Sequence, residues 1–410
     1  MQASREIELE GHIIDSGIMT RIFDKIMDMG GNFEILEFEV GKKKTDPSYS
    51  HLRVCADDDR TLSLILSELY RLGARDLVIA DIELAAAECD RVVPKGFYST
   101  TNHATFVKYG GSWSPVEDMK MDALIVVDPS QRRAFCCTLS KIQRGDLIVI
   151  GEGGVRVVPP ERPREQSTFE FMHGTVSSER PSETIIAQIA WEIIELKRRG
   201  GKIALVGGPA IIHTGAADAV AEILRKGYID VLFAGNALAA HDIEFNLMGT
   251  SLGMDIATGK PVSGGHKHHL IAISEVMRAC SIRDAVDKGV ITGGIMYECV
   301  KNNIPYVLAG SIRDDGPLPD VITDSVEAQD AIRAHLKGCG MVLMVATLLH
   351  SIAVGNCLPS SVKTICVDIN PSAVTKLMDR GTMQAIGVVS DAGAFFPLLA
   401  KQLEIQSHLL

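Results

Sequence analysis

Six short polar segments each follow an apolar run in the second half of this 410-residue chain. They are GGPAIIHTG (207–215), AGNALAAHD (234–242), AGSIRDDGPLPD (309–320), ATLLHS (346–351), VDINP (367–371) and VSDAGAF (389–395). Each is dense in Gly, Asn, Asp or His, where a purely structural connection needs only a short turn. Near-continuous apolar strands between helical segments indicate a parallel sheet buried on both faces. Ligands of such sheets bind beyond the carboxyl ends of the strands, so polar tips in series point to a ligand site. Asp368 ends one apolar run, 22 residues after Ala346. A carboxylate at that spacing suits the hydroxyls of an adenosine ribose and favours NAD over its 2′-phosphorylated form. The glycine fingerprint that usually receives the pyrophosphate is missing, and TLLHSIAVGN (347–356) stands in its place. Backbone N–H groups at that helix start remain available to a phosphate. On this stretch alone, Asp368 serves equally well as a cap for the turn before Pro371.

Two further segments have unusual composition. GSIRDDGPLPDVITD (310–324) carries Asp314, Asp315, Asp320 and Asp324 around Arg313, and Pro317 and Pro319 stiffen it. A rigid acidic loop at a strand tip fits recognition of hydroxyls or ammonium groups. GGHKHH places His266, His268 and His269 just before a helix. Three histidines invite a zinc reading, but the spacing lacks a four-ligand pattern and no cysteine or carboxylate lies close in sequence. Pocket lining or helix capping is the expectation, and no metal.

The elements that must position these residues are readable from periodicity. REIELEGHII, NFEILEFEVG, YSHLRVCAD and DLVIADIEL read as strands, and GIMTRIFDKIMDMG and DRTLSLILSELYRLGA as helices, with Asp59 a possible N-cap. The order β-α-β-β-α-β is the ferredoxin-like split βαβ arrangement. From about residue 92 to 160, MDALIVVD, RRAFCCTLS and GDLIVIGEGGVRVVP suggest a small β-rich unit, followed by the connector PPERPREQ. A helix over RPSETIIAQIAWEIIELKRRGG then opens an alternating α/β region with strands KIALVGG, IDVLFAG, IPYVLAG, MVLMVA, VKTICVDI and QAIGVVS. The expected fold class is α/β: a C-terminal parallel-sheet, Rossmann-like domain (166–410), preceded by a ferredoxin-like α+β module (1–91) and a small β-rich unit (92–165).

Composition narrows the function classes. A net charge of −11 argues against a general nucleic-acid binder or an anionic-membrane binder, and the run Lys42, Lys43, Lys44 reads as a solvated loop. Nine scattered cysteines, with Cys136 and Cys137 adjacent and no C-x-x-C pair, suit a reducing compartment. The N-terminus is charged from the start without a signal-peptide core, and no run of about 18 apolar residues offers a membrane span. A cytoplasmic protein is the expectation.

YSTTNHATFVKYGGSW (98–113), GGHKHHLIAISEV (264–276), GIMYECVKNNIPYVLAGSIRDDGPLPDVITD (294–324), TLLHSIAVGN (347–356) and TICVDINP (364–371) together resemble one family. It is named for the lysine-ketoglutarate reductase/saccharopine dehydrogenase central region. Its members include archaeal-type NAD-dependent ornithine cyclodeaminases and the C-terminal half of bifunctional arginine-catabolic enzymes. The resemblance runs from about residue 5 to 400, and a stand-alone form without a preceding arginine-hydrolysing domain is the expectation. It implies a deoxyhypusine synthase-like NAD-binding fold and NAD contacts at Asn236, Ala237, Asp315, Thr347, Leu348, Leu349, His350, Asp368, Asp391 and Ala392. It also implies conversion of L-ornithine to L-proline and ammonia.

That reaction takes a hydride and then returns it. The protein must supply a base for the α-amine, a cation for the substrate carboxylate, a carboxylate for the δ-amine, and shelter from water. Asn102, His103, Lys108, Glu179 and Arg180 are the candidates, with Lys108 or Arg180 pairing with the carboxylate. Structural hydrogen bonds or interdomain ion pairs are the alternative for each. Rival readings are a plain amino-acid or opine-type dehydrogenase, which would accumulate NADH, and a non-catalytic amino-acid sensor that keeps NAD for structure. A deoxyhypusine synthase-like transferase needs a nucleophilic lysine that the strand tips do not offer. Ornithine and lysine differ by one methylene, a matter of about 1–3 kcal/mol of pocket fit. The N-terminal module and the apolar helices suggest a homo-oligomer.

Overall fold

A computed structural model describes residues 3–409 apart from 15, 43–45, 77–79, 159–181, 257, 259, 263–264, 315 and 381–384. Two compact units emerge: Met1–Gly174 with Leu358–Ser361, and Thr175–Cys357 with Val362–Leu410.

The first unit opens with β1 (Ala3–Gly11), α1 (Ile18–Asp28), β2 (Asn32–Glu39), β3 (Ser48–Ala56), α2 (Asp59–Arg71) and β4 (Arg75–Asp76). The strand order β2-β3-β1-β4, antiparallel throughout, is the ferredoxin-like arrangement expected from the periodicity. One face of β1 and β3 sends Ile7, Leu9, Leu52 and Val54 into a core shared with Ile22 and Ile26 of α1 and Ile65 and Leu69 of α2. The cap of α2 is Asp58, one residue before the expected Asp59; its carboxylate accepts Thr61 N–H at 2.8 Å. DLVIADIEL does not form one strand. Its start closes this sheet as β4, and its end enters the next sheet.

That second sheet contains β5 (Glu83–Ala86), β6 (Ala104–Tyr109), β7 (Ser112–Glu117), β8 (Leu124–Asp128), β9 (Arg133–Cys137), β10 (Leu147–Ile150) and β11 (Val155–Val158), ordered β11-β6-β7-β9-β8-β10-β5. Strands β6 and β7 were not expected. They pair as a hairpin turning at Gly110 and Gly111, both at positive φ (61° and 77°), the two-glycine turn that matches strand twist.

The second unit runs α3 (Ser182–Arg198), β12 (Lys202–Gly207), α4 (Ala210–His213), α5 (Ala217–Arg225), β13 (Val231–Gly235) and α6 (Asn236–Met248). A two-strand hairpin, β14 (Thr250–Ser251) with β15 (Met254–Asp255), precedes α7 (His268–Ala279), α8 (Ile282–Asp287) and α9 (Ile295–Lys301). Then follow β16 (Tyr306–Ala309), β17 (Val321–Ile322), α10 (Ser325–Leu336), β18 (Cys339–Val345) and α11 (Leu349–Gly355). The chain ends with β19 (Lys363–Asp368), α12 (Pro371–Arg380), β20 (Ala385–Val389) and α13 (Ala392–Leu409). The parallel sheet is ordered β17-β16-β13-β12-β18-β19-β20. All six apolar runs picked out by pattern are strands of it. Its core is nearly all aliphatic, with Ile203, Leu205, Leu343 and Ile365 from the strands packed among helix residues such as Ile186, Ile193 and Val220. The chain leaves β12 toward β13 and β16, then returns to β18 on the other side. The reversal makes the boundary of β12 and β18 the topological switch point, where the tips of such sheets receive ligands.

Candidate functional site

At the switch point the tips are packed closely. Gly208 N–H donates to Val345 O at 3.0 Å, and a Cβ on Gly208 would stand 1.8 Å from Ala346 O. Ala346 itself takes φ +56°, a left-handed conformation that a non-glycine residue adopts only when its surroundings impose it. The next turn swings His350 across toward β13, where a Cβ on Gly235 would meet the ring at 2.9 Å. Thr347 Oγ1 lies 3.3 Å from His350 Nδ1, and burial pushes the imidazole pKa down, so the ring is neutral. The tips of β13, β12 and β18 thus form one continuous rim.

Asn236 is buried at the start of α6, and its Oδ1 accepts Leu318 N–H at 3.0 Å, tying this tip to the acidic loop. Leu348 and Leu349 follow Thr347; Leu349 is 75% exposed. Asp368 is half-buried at the end of β19. Its Oδ1 accepts Asn370 N–H at 2.8 Å, and Ile369 beside it is 69% exposed. Asp391 follows β20 and caps α13 through Gly393 N–H at 2.6 Å, with Ala392 buried next to it. The neighbouring strands β13, β12, β18, β19 and β20 therefore present Asn236, Ala237, Thr347–His350, Asp368, Asp391 and Ala392 along one edge of the sheet.

The acidic loop is different from its expected form. Asp320 accepts Ile282 N–H and the Tyr306 hydroxyl, both at 2.8 Å. Asp324 caps α10 through Val326 and Glu327 N–H, which hold its carboxyl below the usual range. Asp314 accepts Ser311 N–H at 2.8 Å. Three of the four acids serve the fold: Asp314 and Asp324 accept N–H groups of neighbouring turns, and Asp320 ties the loop to Ile282 and Tyr306. Asp315 lies outside the described residues, as do Glu179 and Arg180.

In the first unit, Asn102 is buried, and its carbonyl accepts Ser360 N–H at 2.7 Å. His103 Nδ1 is buried with no hydrogen-bond partner among the described residues; burial, with Arg21 nearby, lowers its pKa. Lys108 sits in β6 opposite Trp113.

Sequence reasoning passed over a buried polar network that begins on α6. Glu244 is fully buried. Its Oε1 accepts Thr250 Oγ1 at 2.9 Å and Gly253 N–H at 3.0 Å. Its Oε2 accepts His241 Nδ1 at 2.8 Å and Leu252 N–H at 3.3 Å. Thr250 Oγ1 also stands 2.7 Å from His268 Nδ1, and His213 Nδ1 stands 2.7 Å from Ser251 Oγ. The His213 and His241 rings meet edge to face, with centroids 4.9 Å apart, and His269 is 6.3 Å from His241. Asp242, between them in sequence, is buried and accepts Ile295 and Met296 N–H; burial still pushes its carboxyl up to about 7. The signal was the i, i+3 pair His241 and Glu244, with Asp242 between them, in a helix rich in Ala, Leu and Ile.

A parallel sheet with its switch point closed by glycines and its polar tips in one row defines a class: an α/β protein with a nucleotide-type site at the carboxyl edge. Within that class, the chain belongs to the family described as arginine dihydrolase ArgZ-like, C-terminal, Rossmann fold, which matches residues 187–399. The first region of the same C-terminal part matches residues 104–186, and the LOR/SDH bifunctional enzyme conserved region matches residues 4–103. An ornithine cyclodeaminase of Archaeoglobus fulgidus is 61% identical over 396 residues, spanning 97% of each chain. The crystal structure of apo ArgZ, an arginine dihydrolase from cyanobacteria, is 40% identical with a TM-score of 0.87, over 99% of this chain and 59% of that one. The ternary complex of AgrE with ornithine and NAD+ is 42% identical with a TM-score of 0.55, over 100% of this chain and 59% of that one.

Proposed function

We propose that this chain is an NAD-dependent ornithine cyclodeaminase, converting L-ornithine to L-proline and ammonia. The observation that carries the reading is the 61% identity to an ornithine cyclodeaminase over 97% of each chain, supported by the likeness of this chain to 59% of a protein solved with ornithine and NAD+. NAD supplies a hydride acceptor at the substrate α-carbon and, later, the hydride donor that reduces the cyclic imine. The donor set fits such a group. Asp368 has one carboxylate oxygen on Asn370, and we assign the other to ribose hydroxyls, while Leu349 and Ile369 offer exposed apolar surface for a purine. Asn236, Ala237, Asp315, Thr347, Leu348, His350, Asp391 and Ala392 complete the proposed cofactor contacts.

On the substrate side, Lys108 or Arg180 is assigned to the carboxylate, Glu179 to the δ-ammonium group, and Asn102 to orientation. The chain's task is to hold the α-carbon toward the cofactor, bring the δ-nitrogen onto the oxidised carbon, and keep water from the intermediate. Free thiols at all nine cysteines support a cytoplasmic setting, and we take the working form to be a homo-oligomer that binds neither nucleic acid nor membrane.

Incubating purified protein with L-ornithine and NAD tests the reading. Proline and ammonia in equal amounts, with no lasting absorbance of NADH, are expected. NADH accumulating without proline would replace it with a simple dehydrogenase.

A further inference from the structure

Residues 238–244 of α6 are all buried, yet they include His241, Asp242 and Glu244. Buried ionisable groups are tolerated only when their bonding is satisfied. Asp242 is accounted for by the two N–H groups that start α9. Glu244 receives two peptide N–H groups, a hydroxyl and an imidazole, the donor set of an anion. Burial by itself would push the carboxyl up, but the bonds from His241, Gly253 and Thr250 outweigh it and hold it below the usual range. An ionised Glu244 fixes the tautomer of its neighbour: Nδ1 of His241 carries the proton, and Nε2 of the neutral ring presents a lone pair. A carboxylate behind an imidazole is the arrangement that orients a proton acceptor.

Anchoring of the β14–β15 hairpin explains why Glu244 is there, since Leu252 and Gly253 donate to it. It does not require a histidine. His241 lies in the second turn of α6, five residues past Asn236 at the tip of β13, and His213 lies six past Gly207 at the tip of neighbouring β12. The groups facing His241 are His213 from α4, Glu244 from its own helix and His269 from α7. His213 is neutral at ordinary pH, pushed down to about 4 by burial and by His241 despite an upward pull from Glu244. Of the two rings, His241 is the one held by a carboxylate.

Resting on the cyclodeaminase reading, we propose that His241, oriented by Glu244, accepts a proton from the α-ammonium group of the substrate. The N–H bond breaks, its electron pair stays on nitrogen, and the proton goes to Nε2. The neutral amine then supports departure of the α-hydride to NAD, leaving a substrate iminium. Exchange of the α-nitrogen for the δ-nitrogen releases ammonia without net proton change. The hydride returns to carbon, and the proton on Nε2 passes to the ring nitrogen of proline. Glu244 touches no reacting atom in this scheme and is a positioning residue.

The test uses the full chain with H241N, H241A and E244Q. NAD affinity is measured by titration in each, and histidine ring-nitrogen NMR, with His241 assigned by its loss in H241N, reads the tautomer. The expected result is a fall in kcat of about 10²–10⁴-fold in H241N, with NAD affinity and ornithine KM within about threefold. E244Q should fall less and shift the acid limb of the kcat profile. Added imidazole should restore part of the turnover of H241A, a rescue that a structural role does not give. Wild-type protein should show Nδ1 protonated and Nε2 bare. Turnover by H241N within about threefold of wild type would overturn the proposal, as would an Nε2–H tautomer or loss of NAD affinity without imidazole rescue. No proline from the wild type would instead remove the cyclodeaminase reading, and this proposal with it.

Discussion

Two glutamate–histidine pairs in this chain have the same chemistry and opposite settings. On the ferredoxin-like sheet, Glu6 Oε2 is 3.2 Å from His51 Nε2, while its Oε1 receives Arg53 at 2.8 Å, on a face open to solvent. On α6, Glu244 Oε2 is 2.8 Å from His241 Nδ1, and the carboxylate is fully buried with three further donors. Water screens the first pair and offers each partner an alternative, so the contact decides little. The second pair has no alternative to its protein partners, so its geometry sets protonation and tautomer. The pairing of residue types says little; what surrounds them determines whether they do chemistry.

If burial separates the pairs, E244A should be the most damaging change. It strands the N–H groups of Leu252 and Gly253 along with Thr250 and His241, and a loss of about 3–5 kcal/mol in denaturant unfolding is expected. A small loss would mean that water enters α6 and that the contrast is weaker than the distances suggest.

Asp368 lies between the extremes, half-buried with one oxygen engaged. D368A should weaken NAD binding about 10–100-fold, the worth of a charge-assisted bond of about 1.5–3 kcal/mol, without lowering the melting temperature. Equal NAD affinity in variant and wild type would remove Asp368 from the cofactor site.

His213 sharpens the comparison through pH. Its pKa is lower in the fold, at about 4, than in the unfolded chain at 6.5. The unfolded state therefore binds more protons between those values, and stability is lost as pH falls from about 6.5 to 4. Because the ring is only half-buried, this contribution is about 1–2 kcal/mol after solvent screening. Melting temperatures of wild type and H213N across that window should converge as pH falls; parallel curves would contradict it. Smallest of all is the exposed pair: H51N should melt within about 1 °C of wild type, as exposed ion pairs contribute little.

The amino-acid sequence by itself determined the elements whose cause is local. The period-two and period-3.6 patterns of residues 3–76 give the ferredoxin-like order, and the six apolar runs from Ile203 onward are the strands of the parallel sheet. The hairpin of β6 and β7 at Gly110–Gly111 was passed over, because these strands lack a strict alternation. Asp320 and Asp324 looked like a recognition loop, because nothing in the sequence says which peptide N–H groups a carboxylate will meet. Tertiary structure alone decided that Asp320 reaches Ile282 and Tyr306, and that Ser251 meets His213 from 38 residues away. It also decided which of two Glu–His pairs is buried. Periodicity is a property of neighbours in the chain, whereas desolvation and hydrogen-bond satisfaction depend on segments that only folding brings together.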